Sequence, residues 1–422
     1  MGQNREARTA GLTVHIDEVL LRRYLDELYA IGAEPGGGCY RPLYGESWAA
    51  ACERVQQWMK DAGLAVRRDA VGNLWGRLAG SAGGNAVVTG SHVDTVRHGG
   101  RLDGALGIVA GLAAVRALAA AYGKPKRPLE VLVVCEEEGS RFATNFWGSR
   151  AIVGAIEPDE ARRVTDADGV SLAQAMRERG LDPANVPSSA REDLEAFVEL
   201  HVEQGAVLEA SGAALGIVSA IAGAAHLEIT VTGRPDHAGT TPMDLRRDAL
   251  AGAAAMVQAV ESIAAALGRP AVATVGKLRV EPDQINVVPG RVVFTVDLRH
   301  ADLGGRQALE ERIRSLSGTI ASERGLGIEI RKPHERPPVP MDAGIRELLA
   351  RAAADAGVTP LPATLVSGAG HDAQVLAARC RVGMLFVPSI GGRSHCPEED
   401  TTPEHLALGT EVLAGVLERL AY

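Results

Sequence analysis

The sequence predicts an α/β protein with a mainly parallel sheet, into which a smaller α+β domain is inserted. Three observations support this prediction. The chain has 422 residues, which at about 100 to 200 residues per domain is enough for two or three domains. Two apolar runs of strand length, at 85–92 and 129–139, flank a helical stretch of small residues at 105–122. From residue 225 the pattern changes to alternating strands and two long helices.

The first half of the chain has the order of elements that is typical of a parallel sheet. Helical patterns occupy 16–32 and 48–63, on either side of the glycine-rich turn PGGGC. The strand, helix and strand that follow have uninterrupted apolar runs, which indicates strands covered on both faces. The most apolar stretch, 105–115, stops at Arg116 and is predicted to be too short to cross a membrane.

The region 221–332 has the order β-α-β-β-α-β of the ferredoxin-like fold. Its strand segments are HLEITVTG, AVATVGKLRV, RVVFTVDLR and LGIEIRK, with helical patterns at 245–267 and 306–324. Gly216, Gly223 and the proline-rich segment 333–340 at its borders are predicted hinges. Because parallel-sheet character resumes at 382–387, we expect residues 1–220 and 333–422 to form one domain around this insert.

Composition and charge exclude several classes of protein. Lys and Arg number 44 against 53 Asp and Glu, and aromatic residues make up 4%, so the signature of a nucleic-acid-binding protein is missing. The five cysteines contain no C-x-x-C pair, which argues against a disulfide framework or zinc knuckle. The N-terminus has no apolar signal-peptide run, and Glu6 stands where a myristoylation signal has Ser or Thr. We expect a cytoplasmic protein without a membrane anchor.

Four predicted strands end in residues that can bind metals. These ends are SHVD at 91–94 with LDG at 102–104, CEEEG at 135–139, HVEQG at 201–205 and GGRSH at 391–395. In an open α/β sheet, ligands bind at the carboxyl ends of the strands. A lone His or Asp in such a place is more often a helix cap or a solvated residue. Three consecutive glutamates after a buried strand are different, because they raise one another's pKa unless a cation compensates.

The whole set of motifs resembles one known family. In order, the motifs are His92 with Asp94, Asp103, Glu137-Glu138, ELHVEQG, PDHAGTTP, INVVPG, SGAGHDAQ and GGRSH. They resemble the amidase/hydantoinase/carbamoylase branch of the M20 metallopeptidase-like family. This branch contains allantoate amidohydrolases, N-carbamoyl-L-amino-acid hydrolases and β-ureidopropionases. The resemblance implies a zinc-peptidase-like catalytic domain, with the insert 221–332 as a lid and dimerisation domain.

The resemblance also implies two divalent metal ions per chain. One would be bound by His92, Asp103 and His201, and the other by Asp103, Glu138 and His395. Zinc or manganese is expected, with cobalt and nickel as alternatives, because all four accept histidine and carboxylate ligands. Asp94 would orient His92 through its other ring nitrogen, and Glu137 matches the general base.

Three residues of the insert are implied to recognise the substrate. His237 would polarise the carbonyl of a ureido group, while Asn286 and Arg299 would hold a substrate carboxylate. From residue type alone, His237 reads equally well as a turn residue, Asn286 as a loop residue and Arg299 as a solvated charge at a sheet edge.

Four further residues belong to the expected site. Gln204 is expected to contact the ureido group, although a polar loop residue is an equal alternative. Gly370 would let the backbone approach the ligand closely, and His371 and Asp372 would support the site.

The expected reaction removes the terminal carbamoyl group of a small ureido acid and releases ammonia and carbon dioxide. Allantoate is favoured by the runs EEEGSRF and FWGSR and by Leu102. An N-carbamoyl-L-amino-acid hydrolase or β-ureidopropionase is the alternative, and a non-catalytic binding protein on the same fold is a remote one. A homodimer through the insert is expected, with His237 and Asn286 reaching the partner's active site.

Overall fold

The computed structural model describes residues 14–422 as two compact units. The first unit runs to Ser219 and includes Met341–Leu365 and His371–Tyr422, and the second consists of Ala220–Pro340 and Val366–Gly370. The expectations about the N-terminus and Glu6 lie outside the described residues.

The strands, numbered along the chain, lie in both units. They are β1 Ala65–Arg68, β2 Leu74–Leu78, β3 Ala86–His92, β4 Leu129–Val134, β5 Leu194–Val202, β6 Gly216–Ile221, β7 Gly223–Thr232, β8 Asp236–His237, β9 Val272–Glu281, β10 Val287–Val288, β11 Arg291–His300, β12 Gly327–Arg336, β13 Val339–Pro340, β14 Ala363–Ser367 and β15 Arg381–Val387.

The α-helices are numbered in the same way. They are α1 Glu18–Ala30, α2 Glu46–Asp61, α3 Ala105–Tyr122, α4 Trp147–Ile152, α5 Glu160–Arg163, α6 Leu172–Glu178, α7 Val207–Ser211, α8 Ala249–Leu267, α9 Leu303–Glu323, α10 Ala343–Asp355, α11 Asp372–Leu376 and α12 Pro403–Ala421. Short 3-10 helices occupy Pro183–Ser189, Met243–Leu245 and Ile390–Gly392.

The first unit is built on a mainly parallel sheet, which confirms the predicted fold class. The strand order is β1-β2-β4-β3-β5-β15-β6, and the central strands β4, β3, β5 and β15 are parallel to their neighbours in that group. Strand β2 joins β4 antiparallel, and β6 joins β15 antiparallel. Every residue of β3 and β4 is buried, as expected for strands covered on both faces.

Helix α3 is the central helix of the first unit, and it corrects one expectation. The helix continues past Arg116 to Tyr122, so its 18 residues, with a mean hydropathy of 1.8, meet the length needed for a membrane span, and the prediction that it is too short was wrong. Two thirds of α3 is buried among β3, β4, β5, α1 and α12, which accounts for its apolar composition as that of a core helix. Helix α8 of the second unit also has the length and composition of a span, and one third of it is buried.

The second unit contains a four-stranded antiparallel sheet in the order β12-β7-β11-β9. Helices α8 and α9 pack on one face of this sheet and on each other. The side chains of β11 alternate accordingly: Val292, Phe294, Val296 and Leu298 are buried in a separate hydrophobic core, while the residues between them lie on the open face. This is the predicted β-α-β-β-α-β order.

Capping residues explain where the two long helices of this unit begin. The carboxylate of Asp248 accepts hydrogen bonds from the backbone N–H groups of Leu250 and Ala251, so α8 begins at Ala249 and not at the predicted 245. Asp302 caps α9 through the N–H of Gly305, which places the start at Leu303, before the predicted 306.

The predicted hinge positions lie mostly in strands, and their hinge motion stays a prediction. Gly216 begins β6, and Gly223 begins β7, where a Cβ atom would lie 2.6 Å from Pro338. The proline-rich segment 333–340 is not an irregular linker, because β12 extends to Arg336 and Val339–Pro340 forms β13. Pro333 is tolerated within β12 because β12 is an edge strand of its sheet.

Candidate active site

The parallel strands of the first unit bring the predicted metal ligands to one edge of the sheet. His92 is the last residue of β3, Glu136 to Glu138 follow β4, and His201 is the penultimate residue of β5. The register pairs His92 with Val134 and Phe386 of β15 with His201, so the carboxyl ends of the four strands meet there. His395 follows β15 after the 3-10 helix Ile390–Gly392.

Asp103 lies at the centre of this group. Its Oδ1 atom is 3.4 Å from Nε2 of His92 and 3.2 Å from Nε2 of His201. Its Oδ2 atom is 3.0 Å from Nε2 of His395, which in turn lies 3.2 Å from Oε1 of Glu138. The two oxygens of the Asp103 carboxylate therefore face two different groups of potential metal ligands.

The three consecutive glutamates have different surroundings. Glu136 turns back to its own loop, where its carboxylate accepts hydrogen bonds from the Ser140 hydroxyl and the Arg141 amide. Burial and the charge of Asp94 raise the pKa of Glu136 to about 8. Burial likewise raises the pKa values of Glu137 and Glu138, which lie with His92 in one group of potential ligands. The sequence argument that this run needs compensating positive charge agrees with these shifts.

The imidazoles respond in the opposite sense to the same charges. Burial alone would lower the pKa of His92, but its hydrogen bond to Asp103 and the charges of Asp94 and Glu137 raise it well above 6.5. Hydrogen bonds to Asp103 and Glu138 raise the pKa of His395 to about 11. The surroundings of the cluster thus favour positive charge at these positions.

This donor set fits divalent cations. His92, Asp103 and His201 each offer one ligand atom within 4.8 Å of the others, and so do Asp103, Glu138 and His395. Imidazole nitrogens and carboxylate oxygens are the ligands that zinc and similar divalent ions take in hydrolytic sites. The structure therefore has a candidate divalent-metal site at the edge of the sheet.

Asp94 lies against the second ring nitrogen of His92, where the sequence analysis expects it, and the contact is made by its backbone. Its backbone carbonyl, 3.0 Å from Nδ1 of His92, is the hydrogen-bond acceptor for that ring, while its carboxylate stands 3.8 Å from the same atom. The carboxylate instead accepts the backbone N–H groups of Glu137 and Glu138. Asp94 thus contacts the end of β3 through its carbonyl and the residues after β4 through its carboxylate.

Gln204 lies beside the candidate metal ligands, as expected for a residue of the site. Its side-chain nitrogen donates to Oδ2 of Asp103 at 2.8 Å and lies 3.4 Å from Nε2 of His395. Its backbone is left-handed, with φ of 58°, and its amide donates to the hydroxyl of Ser389. The buried Oε1 atom has no hydrogen-bond partner among residues 14–422.

Gly104 sits where a side chain cannot. Its φ is +66°, and a Cβ atom there would lie 2.4 Å from the carbonyl oxygen of His92 and 2.5 Å from its ring. Because no other residue relieves both constraints, the turn between Asp103 and α3 requires glycine.

His371 packs against His201, and Asp372 follows it at the start of α11. The ring of His371 is 4.7 Å from that of His201, and Glu199 completes a group of potential ligands with these two histidines. Asp372 is fully buried, and burial together with the charge of Glu199 raises its pKa to about 8. Glu199, which accepts a hydrogen bond from Ser91, was missed because it lies inside the apolar run of β5.

Glu399 is a second residue that sequence reasoning missed. Its Oε1 atom accepts hydrogen bonds from the backbone N–H groups of Leu102 and Asp103, and its Oε2 atom accepts one from the Ser394 hydroxyl. It therefore ties the Asp103 turn to the segment that carries His395. The run PEED looks like an exposed acidic turn, and only the 1% exposure of Glu399 distinguishes it.

The second unit places two of its predicted residues side by side. Strands β8 and β10 pair His237 with Val287, and the Asn286 carbonyl accepts the Ala238 N–H. Nδ1 of His237 accepts backbone N–H groups from Gly239 and Thr240, at 3.0 and 3.3 Å. The neutral ring therefore carries its proton on Nε2, which makes that atom a hydrogen-bond donor.

Arg299 and Gly370 lie in the same unit. Arg299, near the end of β11, pairs with Asp297 and donates to the carbonyl of Gly368. Gly370 ends the short segment that follows β14.

The mainly parallel α/β sheet and the cluster at its edge together define a hydrolase of the metallopeptidase-like class, with a candidate divalent-metal site. Residues 88–419 match the model of peptidase family M20/M25/M40, and the chain belongs to this family.

Two named relatives and one solved structure are similar to this chain over nearly its whole length. The allantoate amidohydrolase of Escherichia coli is 41% identical over 400 residues, which cover 94% of this chain and 96% of that protein. The N-carbamoyl-L-amino acid amidohydrolase of Geobacillus stearothermophilus is also 41% identical, over 94% of this chain and 97% of that protein. The crystal structure of an amidase of the hydantoinase/carbamoylase family from Burkholderia multivorans superposes with a TM-score of 0.91 at 36% identity, covering 97% and 99% of the two chains.

Proposed function

We propose that the protein is a binuclear metal-dependent amidohydrolase that cleaves the terminal carbamoyl C–N bond of a ureido acid. The observation that carries this proposal is the division of the Asp103 carboxylate, with Oδ1 facing His92 and His201 and Oδ2 facing His395. A carboxylate so placed can bridge two cations. The relatives named amidohydrolases support the reaction class.

In this proposal the ligands are those implied by the sequence. His92, Asp103 and His201 hold one ion, and Asp103, Glu138 and His395 hold the other. When bound, divalent ions of this type lower the pKa of water and polarise a carbonyl oxygen. Zinc and manganese suit this mixture of imidazole and carboxylate ligands, and cobalt or nickel can replace them.

Glu137 is the proton carrier of the proposed site. Its carboxyl is buried beside Glu138 and His92, and burial raises its pKa. A carboxylate with a raised pKa is a stronger base, so it can take a proton from the attacking water and return it to the leaving nitrogen. Glu136, held by Ser140 and Arg141 in its own loop, is not placed for this work.

The substrate is recognised by groups that match a ureido acid. Nε2–H of His237 donates to the ureido carbonyl, and Oε1 of Gln204 accepts a ureido N–H. Asn286 and Arg299 hold the carboxylate, with the backbone at Gly370 beside the ligand. His371 and Asp372 support His201 from behind.

Allantoate is the substrate that we favour, because the runs EEEGSRF and FWGSR resemble those of allantoate amidohydrolases. An N-carbamoyl-L-amino acid is the second candidate, since the Geobacillus stearothermophilus enzyme is as similar in sequence as the Escherichia coli one. Both substrates present a carboxylate and a ureido group, so the same residues serve either.

Ammonia release tests the proposed function. Purified protein is assayed with allantoate, several N-carbamoyl-L-amino acids and 3-ureidopropionate, before and after chelation and after re-addition of each metal. We expect release from allantoate above the others, lost on chelation and restored by zinc or manganese. Full turnover by protein shown to be metal-free by elemental analysis would contradict the proposal. Turnover of none of the compounds by the metal-loaded protein would do so as well.

We further propose that the first unit is the catalytic domain and that the second is a lid through which two chains form a homodimer. Strand β9 lies at the edge of its sheet with Val272 and Leu278 exposed, and unpaired edge strands are commonly covered by pairing. An isologous dimer would cover both copies at once and bring His237 and Asn286 to the partner's site.

Mixing two inactive variants tests the shared site. Glu137→Gln and His237→Ala protein are mixed under conditions that exchange subunits. If His237 acts in the partner's site, each mixed dimer has one site with both lesions and one intact site, so activity recovers. No recovery despite demonstrated exchange would contradict the shared site and leave the metal chemistry unaffected.

We propose a cytoplasmic location. All five cysteines are free, and three of them are buried, which suits a reducing compartment.

A further inference from the structure

Arg299 is not a free surface charge. Its Nε and Nη2 atoms donate to Oδ1 and Oδ2 of Asp297, at 3.1 and 2.8 Å, and its Nη1 atom donates to the Gly368 carbonyl at 2.5 Å. Asp297 and Arg299 are two residues apart on β11, so both side chains lie on the open face of the sheet, opposite the core residues Val296 and Leu298.

These contacts use specific edges of the guanidinium group. Arginine has five N–H donors in a rigid fork, with one edge formed by Nε and one terminal nitrogen and the other edge formed by the two terminal nitrogens. The Asp297 carboxylate occupies the first edge. With the Gly368 carbonyl on Nη1, three of the five N–H groups are used. One N–H on each terminal nitrogen remains for a second carboxylate, which would approach the edge formed by Nη1 and Nη2.

We propose that Asp297 is a positioning residue, which presents the terminal edge of Arg299 to the carboxylate of the substrate. The inference rests on the proposed function, because it assumes that Arg299 binds this carboxylate. Two fixed points, the Asp297 carboxylate and the Gly368 carbonyl, orient the plane of the guanidinium. Preorganisation of this kind reduces the ordering that a ligand must impose when it binds.

A negative charge so close to the substrate carboxylate has an opposing effect. Asp297 partly neutralises Arg299, so its loss would strengthen anion binding if charge alone decided affinity. Bidentate geometry argues the other way, because two parallel N–H···O bonds are lost when the guanidinium turns. The two effects predict opposite changes in KM, which makes the proposal testable.

The same sheet supplies a matched control. Glu228 of β7 pairs with Arg331 of β12 and lies opposite Thr295 of β11. This arginine–carboxylate pair has a similar exposure on the carboxylate side, 32% against 35% for Asp297, and it makes no contact with Arg299 in the described residues. Glu228→Gln therefore removes a comparable charge pair from the unit while leaving Arg299 held.

The experiment compares steady-state kinetics of the metal-loaded wild type, Asp297→Asn, Asp297→Glu and Glu228→Gln. The substrates are the best ureido acid from the ammonia-release panel and the same compound with its carboxylate converted to a carboxamide. We expect KM for the acid to rise about tenfold or more in Asp297→Asn with kcat changed less than threefold, as for loss of uniform binding. Asp297→Glu, which keeps the acceptor pair, should recover part of the loss, and Glu228→Gln should resemble the wild type.

The carboxamide separates the outcomes. Its KM should be nearly the same in wild type and Asp297→Asn, because it offers no anion to the presented edge. An unchanged or lower KM for the acid in Asp297→Asn would overturn the positioning role, as would equal rises for both substrates. Failure of the wild type to hydrolyse any ureido acid would instead overturn the proposed function.

Discussion

The carboxylate of Asp94 accepts the backbone N–H of Glu138, with Oδ2 of Asp94 3.1 Å from that nitrogen. Its other oxygen lies 3.3 Å from the amide nitrogen of Glu137. One buried side chain after β3 therefore fixes the backbone from which two candidate active-site carboxylates project after β4. The same residue's carbonyl orients His92.

We expect Asp94→Asn to weaken metal binding by about 10- to 100-fold, the usual effect of losing a group that holds ligands in place. An amide places an N–H₂ group against one of the two backbone donors. The measurement is metal content after dialysis against graded chelator. Asp166→Asn is the control, because Asp166 also accepts two backbone amides, of Asp168 and Val170, but contacts none of the candidate ligands. An equal loss in both variants would contradict the role.

Glu137→Gln and Glu138→Gln should separate catalysis from metal binding. Removal of a general base costs about a hundred- to ten-thousand-fold in rate, so Glu137→Gln should lose turnover and keep its metal. Glu138→Gln should lose one ion, because Glu138 lies with Asp103 and His395. Elemental analysis and ammonia release on the same preparations check both. Equal metal loss would show that the two roles are wrongly assigned.

Glu399→Ala should weaken metal binding and also destabilise the fold. It leaves the amides of Leu102 and Asp103 without their acceptor, and a buried unsatisfied donor costs about 1–3 kcal/mol. Urea unfolding of the metal-free protein measures the stability, and chelator competition measures affinity. Ser394→Ala, which removes only the second contact, should show a smaller effect on both. Unchanged affinity in Glu399→Ala would mean that the Asp103 turn holds its shape unaided.

Glu160 gives the stability of the fold a defined dependence on pH. Burial raises its pKa, but two hydrogen bonds of 2.7 Å from Arg150 outweigh burial and bring the pKa below 4.5. A lowered folded-state pKa means that this stabilisation is complete above about pH 4.5 and is lost as the pH falls through the folded value. Glu160→Gln should therefore cost about 1.5–3 kcal/mol at pH 7 and progressively less below pH 4.5.

Urea unfolding at pH 7, 5 and 4 measures this difference. Glu157→Gln is the control, because its pair with Arg163 is exposed and should contribute little at any pH. A cost that stays constant from pH 7 to 4 would contradict the assignment.

The sequence was sufficient for the fold class and for the cluster of metal-competent residues. The apolar runs predict the strands, and the residues that follow or end them, His92, Glu137 and His201, predict the edge of the sheet at which these side chains meet. Periodicity does not reveal which carboxylates are buried. Glu199 and Glu399 look like ordinary charged residues in sequence, and only tertiary packing encloses them.

The orientation of side chains was also beyond the sequence. The resemblance implies that Asp94 orients His92 but not which of its groups does so: the backbone carbonyl contacts the ring, and the amides after β4 occupy the carboxylate oxygens. The sequence also does not show that most of the segment 333–340 pairs as strand: β12 runs to Arg336 and accommodates Pro333 as an edge strand, and Val339–Pro340 forms β13.

The two units have separate hydrophobic cores, and this separation has an evolutionary consequence. The candidate metal ligands belong to the unit whose core contains α3, whereas His237, Asn286 and Arg299 belong to the second unit, which has its own core between α8, α9 and the four-stranded sheet. Most substitutions destabilise the core in which they occur, so changes in the second unit leave the metal ligands supported. On the proposed division of roles, a lineage can therefore change its substrate without passing through ancestors that have lost the metal site, and selection for altered specificity is best begun by mutating residues of the second unit alone.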